Sequence, residues 1–519
     1  MAHIVSDHRV PVPELRRDLS SMVVMTVVIG AVAPLMVGSG VNPTAIGATG
    51  ITSLPIVYVA VGVLLLLFIP GYLAVSRYLP NPGAFYAITS RVWRALALGV
   101  AFVALVAYCA LFVGLFGAWG ATVAPQAAAL TGLPAKPWQA MLAAWLVVTA
   151  LSLMRVTITG KIVALLLAAE ICFVALADAA MFAHPFAGHP QWQSWTLSAP
   201  TGPHHGVSAL AAAIAAFCIC FLGTVGIEGG ATTYLETRNG HRTIRRGTIG
   251  AAIVIVLLYL ATAWATAWAA GDQHLVARAA NEQQSLLFNL VRPYLGTAIT
   301  DAGTVLLDTS IFIGMLSFSL FWSRYAFSMA SEGMLPGPVA RTRPKAGVPA
   351  GAVITLMTVA LVAIVIWSLI GWDPLVTLFF YGGTFGGFGI MLLFAISSIA
   401  VIGFYLRHPR HRRRDSLWVR LILPGLAAAG LSAAVVSAVA HYDVMLGVAP
   451  DNPLRWILPS VYGAILAGAL IAGLILRVAR RDRYHRIGLG VQAATGVAER
   501  PDLADDEDAL LDDGQGSRR

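Results

Sequence analysis

Apolar positions along this chain come in long runs rather than in stripes. From residue 20 to residue 478, mostly apolar stretches recur between short polar segments. A helix needs ~20 such residues to cross a bilayer, whereas a membrane β-barrel shows ~10-residue alternating segments. The pattern therefore predicts an all-α membrane protein with twelve transmembrane helices. The expected spans are 20–38, 54–76, 95–120, 138–156, 161–183, 207–236, 248–270, 303–330, 350–370, 375–405, 417–440 and 454–478. Around them the chain divides into a polar N-terminal segment (1–19), a ten-helix block (20–405), a basic loop (406–416), two further helices (417–478) and a tail (479–519). The tail ends in the acidic PDLADDEDALLDDGQGSRR and reads as disordered. Residues 271–300 read as an amphipathic outer segment, and the first eighteen residues lack the apolar core of a cleaved signal.

Composition agrees: 58% of residues are hydrophobic and 11% charged, with mean hydropathy +0.77, against ~25% charged in a soluble chain. Charge adds the orientation. The net charge of +9 would suit nucleic acid, but with the N-terminus inside, 30 of the 34 Lys and Arg fall in inner segments. The outer four are Lys136, Arg278, Arg292 and Arg455. That asymmetry is the positive-inside rule. It predicts cytoplasmic termini in a cell (inner) membrane, lipid around the helices and no nucleic-acid partner. Oligomeric state is not legible.

Two spans carry helix breakers at their middles. Span 6 runs into FLGTVGIEGGATTYLE, residues 221–236, with Gly223, Gly226, Gly229, Gly230, Glu228 and Glu236. Span 1 contains VVIGAVAPLMVGSG, residues 27–40, where Pro34 removes a helical hydrogen bond. Gly38-Ser39-Gly40 offers a second place for the same break. Unpaired backbone costs several kcal/mol in hydrocarbon, so a helix breaks only where it faces protein or a water-filled cavity. Gly226 and Gly230 also form a GxxxG pair that would serve close packing alone. The glutamate favours function, because ionisable groups within spans mark substrate and ion pathways. Breaks at matching places in two oppositely oriented five-helix halves indicate a transporter built from inverted repeats, with its site at the midplane. Freed amides there suit a carboxylate.

Three stretches carry a family likeness. They are GYLAVSRYLPNPGAFYAITSR (71–91), GIEGGATTYLETRNGHRTIRRG (226–247) and SRYAFSMASEGMLPGPVARTRPKAGVP (323–349). In this order, in a twelve-span chain, they resemble the amino acid–polyamine–organocation (APC) superfamily of permeases over nearly the whole length. The resemblance implies a five-plus-five inverted repeat with spans 11 and 12 outside it. It also implies an amino acid or related amine held between the broken spans 1 and 6. The family's site falls on Ala31, Val32, Ala33, Pro34, Leu35 and Met36, and on Leu222, Gly223, Thr224, Val225 and Gly226; Glu228 matches the glutamate that ends its span 6 break. This chain departs from the pattern at several points. The aromatic expected near Thr224 is missing, Thr237 replaces the second glutamate of a pair, and Gly240 stands where the family has proline.

Span 5 places Glu170 near its middle and Asp178 eight residues on, on the same face. Intramembrane carboxyls load and release protons in transporters, so Glu170 is the candidate for proton coupling. A hydrogen-bonded brace between spans 1, 5 and 8 is the competing role. Ser317 and Ser319 are weaker candidates for sodium, and Asp308 is placed in an outer vestibule. The four cysteines read as small buried hydrophobes, with no disulfide or metal site. The loop histidines 184, 189, 204 and 205 read as solvated. No HExxH, CxxC, nucleophile elbow or Walker motif is present, which argues against an enzyme and against an ATP-driven pump. No cofactor is expected. The sequence leaves open proton-coupled amino acid symport, polyamine or organic amine transport, exchange, and a non-transporting sensor on the same fold.

Overall fold

A computed structural model describes residues 20–490, apart from 80, 82, 155, 190–191, 198–199, 202–207, 231–239, 344–346 and 413–414. Among the described residues the chain is helical, and eleven helices are long and apolar enough to cross a membrane. They coincide with eleven of the expected spans. The fourth expected span is a helix of only 16 residues, Pro137–Ser152. At 1.5 Å per residue it spans ~24 Å, short of the ~30 Å hydrocarbon core. Among the described residues, then, eleven of the twelve expected spans are long enough to cross, and the fourth is a shorter apolar helix.

Enclosure separates the middle of the bundle from its rim. In the most apolar window of span 1 (Ser21–Thr49), 78% of positions are buried; in span 12 (Leu454–Ala479), 17% are. Spans 1, 2, 3, 6, 8 and 10 therefore build the interior. Leu165, Leu369 and Val478 keep apolar surface outward, which is where lipid replaces water. Span 3 (Arg94–Thr131) packs along spans 8, 10 and 12, and span 1 lies along span 7 between spans 5 and 8.

The run YGGTFGGFG lets span 10 approach its neighbours. A Cβ on Gly386 would meet the Ala107 carbonyl at 2.7 Å, and one on Gly387 would fall 1.6 Å from Leu222 at the span 6 break. The amphipathic outer segment forms a helix, Asp272–Glu282, which buries Leu275, Val276 and Ala279. It rests on the outer end of span 1, where Gly47 meets the Ala280 backbone. Span 8 follows as one long helix, Leu286–Ser331, turned at Gly296 (φ +77°). In the outer loop, Trp192 and Trp195 pack on Trp264 of span 7, and His184 stacks on Tyr294. His204 and His205 lie outside the described residues.

The tail expected to be unstructured from residue 479 begins otherwise. A helix covers Arg481–Arg486, and Ile487, Gly488 and Gly490 are buried against the bundle. Its acidic end lies outside the described residues.

Gly387→Val should destabilise the protein by about 1–3 kcal/mol through overpacking. Gly425 has no heavy atom near its Cβ position, so Gly425→Ala should hold or raise stability. Thermal unfolding in detergent checks the pair, and equal midpoints would contradict the packing described.

Candidate functional site

Span 1 breaks at one residue. The helix Ser21–Val32 ends, Ala33 takes a left-handed conformation (φ +49°, ψ +72°), and helix resumes at Pro34. The break therefore lies at Ala-Pro-Leu-Met. Gly38-Ser39-Gly40 instead sits inside a π turn, Val37–Val41, of the resumed helix. Two backbone groups freed by the break find side chains. The Leu35 amide donates to Glu170 Oε1 at 2.6 Å, and Tyr259 donates to the Val32 carbonyl at 3.1 Å. Glu170 is fully buried and also accepts from Ser310 of span 8 at 2.6 Å, through the same oxygen. Its Oε2 has no partner among the described residues. The carboxyl thus ties the span 1 break to spans 5 and 8.

Span 6 stops as an α-helix at Leu222 and continues in turns to Gly230. Gly226 has φ +120°, and a Cβ there would fall 2.8 Å from Ala31 Cβ. A Cβ on Gly223 would meet Val37 at 3.0 Å. The two breaks are therefore in direct contact, and glycine is what lets span 6 reach span 1. Glu228 serves the same break: its Oε2 accepts from the Gly226 amide at 3.0 Å and its Oε1 from Tyr108 at 2.6 Å. Tyr72 donates to the Glu228 carbonyl at 3.3 Å. Glycine and glutamate occur together because one makes the break and the other satisfies its backbone.

A cavity of ≈ 100 Å³ opens beside this contact. Seven of the expected binding residues line it: Ala31, Val32, Ala33, Met36, Leu222, Gly223 and Val225. Pro34, Leu35, Thr224 and Gly226 do not; Leu35 points its amide at Glu170, Thr224 bonds the Phe221 carbonyl, and Gly226 sits against Ala31. The rest of the lining is mainly Leu111, Leu115, Ile219, Phe318, Phe379 and Phe380. The aromatic missing near Thr224 is thus supplied by spans 8 and 10. A wider vestibule of ≈ 700 Å³ lies outside and shares Thr44, Phe379 and Phe380 with the cavity.

Other expected residues sit away from this centre. Asp178 Oδ2 accepts from Thr262 at 2.9 Å, beside Gly38 of the resumed helix. Asp308 faces Thr122 and Gln126 of span 3 and does not line the vestibule. Ser319 donates to Ser152 at 3.0 Å and, with Ser317, lines a small separate pocket together with Arg324. Arg324 is buried. Among the described residues no group of three His, Cys, Asp or Glu gathers as metal ligands. Tyr108, Tyr259 and Ser310 escaped sequence reasoning. Each bonds a partner distant in the chain, and nothing local in its span marks it out from the other hydroxyls.

Residues 19–468 match the family model for amino acid permeases. The chain belongs to the amino acid permease family. This permease is therefore a multi-pass membrane transporter and not an enzyme. No curated protein matches its sequence significantly. Among solved structures it is similar to the manganese transporter of Eremococcus coleocola. One mutant of that protein gives a TM-score of 0.53 at 14% identity, covering 89% of the permease and 97% of the other chain. The same transporter with an aromatic bis-isothiourea substituted compound gives 0.52 at 14%, covering 93% and 99%. These likenesses show a shared fold.

Tyr108→Phe removes the donor to a buried carboxylate oxygen and should cost about 1–3 kcal/mol, read as a lower unfolding midpoint. Gly226→Ala should abolish specific ligand-induced stabilisation, because a Cβ cannot fit between the breaks. A Gly226→Ala protein stabilised as well as wild type by the same ligand would contradict the contact.

Proposed function

We propose that this permease is a secondary active transporter of neutral amino acids with apolar side chains, coupled to protons through Glu170. The observation that carries the reading is that the substrate cavity and Glu170 lie on opposite sides of one break. Ala31, Val32, Ala33 and Met36 face the cavity, while the amide of Leu35 is held by the carboxyl. A ligand and a proton then bias the same two-state element, which is what thermodynamic coupling requires. Protonation turns Glu170 from a charge-assisted acceptor into a weaker one. This loosens its hold on Leu35 and Ser310. Counting the short fourth helix as a crossing, the 30-to-4 distribution of Lys and Arg supports cytoplasmic termini in a cell membrane.

The lining supports the substrate class. It consists of aliphatic and aromatic side chains, with Thr44 and Thr384 as its polar members. A cationic amine or a metal ion would need carboxylates or imidazoles there. Of the carboxylates at the two breaks, Glu228 already serves Tyr108 and the Gly226 amide, and Glu170 serves the Leu35 amide and Ser310. The manganese of the structural neighbour is therefore not carried over as cargo.

Uptake of a labelled amino acid panel into proteoliposomes, without sodium, tests the reading. An inward proton gradient should drive accumulation of an apolar amino acid. Glu170→Gln should abolish accumulation while leaving exchange of the same substrate. A Glu170→Gln protein that still concentrates substrate would sink proton coupling. Uptake by neither protein, with ligand binding retained, would favour a sensor.

A further inference from the structure

The chain beyond span 12 ends its described part in a built contact. After the helix Arg481–Arg486, Gly488 and Gly490 both take left-handed conformations (φ +85° and +59°). Successive turns of this kind aim backbone amides at one point and make an anion-binding concavity. Here the anion is Glu332, fully buried just after span 8. The Gly490 amide donates to Glu332 Oε1 at 2.5 Å and the Gly488 amide to Oε2 at 3.1 Å. Gly488 also donates to the Tyr86 hydroxyl at 2.9 Å, and Tyr86 itself donates to Glu332. In return, Asn81 donates to the Gly488 carbonyl at 3.1 Å, while its Oδ1 accepts from Ser328 at 2.9 Å. Neither glycine tolerates a side chain: a Cβ on Gly488 would fall 1.9 Å from Ser90 Oγ, and one on Gly490 2.9 Å from Asn81.

The partners come from two parts of the transport core. Asn81, Tyr86 and Ser90 follow span 2, whose Tyr72 holds the Glu228 carbonyl at the span 6 break. Ser328 and Glu332 end span 8, which lends Phe318 to the cavity and Ser310 to Glu170. The segment therefore clasps the inner ends of spans 2 and 8 from outside the ten-helix core.

We propose that residues 481–490 are a latch, whose Gly488–Gly490 hook on Glu332 restrains opening of the permease on its inner side. The inference rests on the transport reading for its consequence, since an alternating transporter must part these ends to release substrate inward. Docking holds the inner side closed, and undocking lets it open more often.

The test uses the full-length protein in proteoliposomes, carrying Thr224→Cys as a reporter at the span 6 break. Gly488→Val and the milder Gly490→Ala each break the hook. Two rates are read. Trypsin at the inner face reports release of the segment by cleavage after Arg486. A charged thiol reagent at the same face reports inner opening by modification of position 224, located by mass spectrometry. Both rates should rise in both variants, modification at least about threefold. Faster cleavage with unchanged or slower modification would make the segment a strut and overturn the latch. Unchanged cleavage in both variants would overturn it too, since the hook would not be what holds the segment. The readouts need no substrate. Absence of amino acid uptake by wild type, with modification still accelerated, would reject the proposed cargo and leave the latch standing.

Discussion

Everything central in this permease follows from one constraint: backbone polar groups freed inside a membrane must find partners within the protein. The span 1 break frees the Leu35 amide and the Val32 carbonyl, and Glu170 and Tyr259 take them. The span 6 break frees the Gly226 amide, and Glu228 takes it. Those obligations fix which helices lie beside which. Glu170 requires span 5 next to the first break, Ser310 requires span 8 next to Glu170, and Tyr108 requires span 3 next to Glu228. The helix arrangement around the cavity is thus a solution to a local hydrogen-bonding problem, with packing filling in around it.

The architecture was largely legible in the sequence because a membrane span is a local, one-dimensional signal. Apolar runs located eleven spanning helices, and the breaker residues located both interruptions. The fourth span was the exception. Its apolar character reads clearly, but its length depends on where Pro137 starts the helix and where helix ends after Ser152. The register of span 1 was ambiguous for a similar reason. Proline at residue 34 and glycines at 38 and 40 are both breakers, and only three-dimensional contact decides between a left-handed Ala33 and a π turn.

The candidate site was legible by element rather than by side chain. Seven of the eleven expected residues face the cavity. The others point elsewhere because one turn of a broken helix presents different sides to different neighbours. Tyr108, Tyr259 and Ser310 were invisible because nothing in a single sequence links residue 108 to residue 228, or 310 to 170. The inner clasp was hidden for the opposite reason. A short Gly-Leu-Gly run at the start of a polar tail is compositionally unremarkable, and its meaning lies wholly in the carboxylate it meets.

The vestibule and the cavity differ sharply in size, ≈ 700 against ≈ 100 Å³, and meet at Thr44, Phe379 and Phe380. A solute crossing from one to the other exchanges part of its hydration shell for contact with Phe379 and Phe380. The loss is offset at roughly 25 cal/mol per Å² for apolar surface but remains a penalty for polar surface. The narrowing at this rim is thus a place where dehydration, and not contact shape alone, enters the cost of passing from one space to the other.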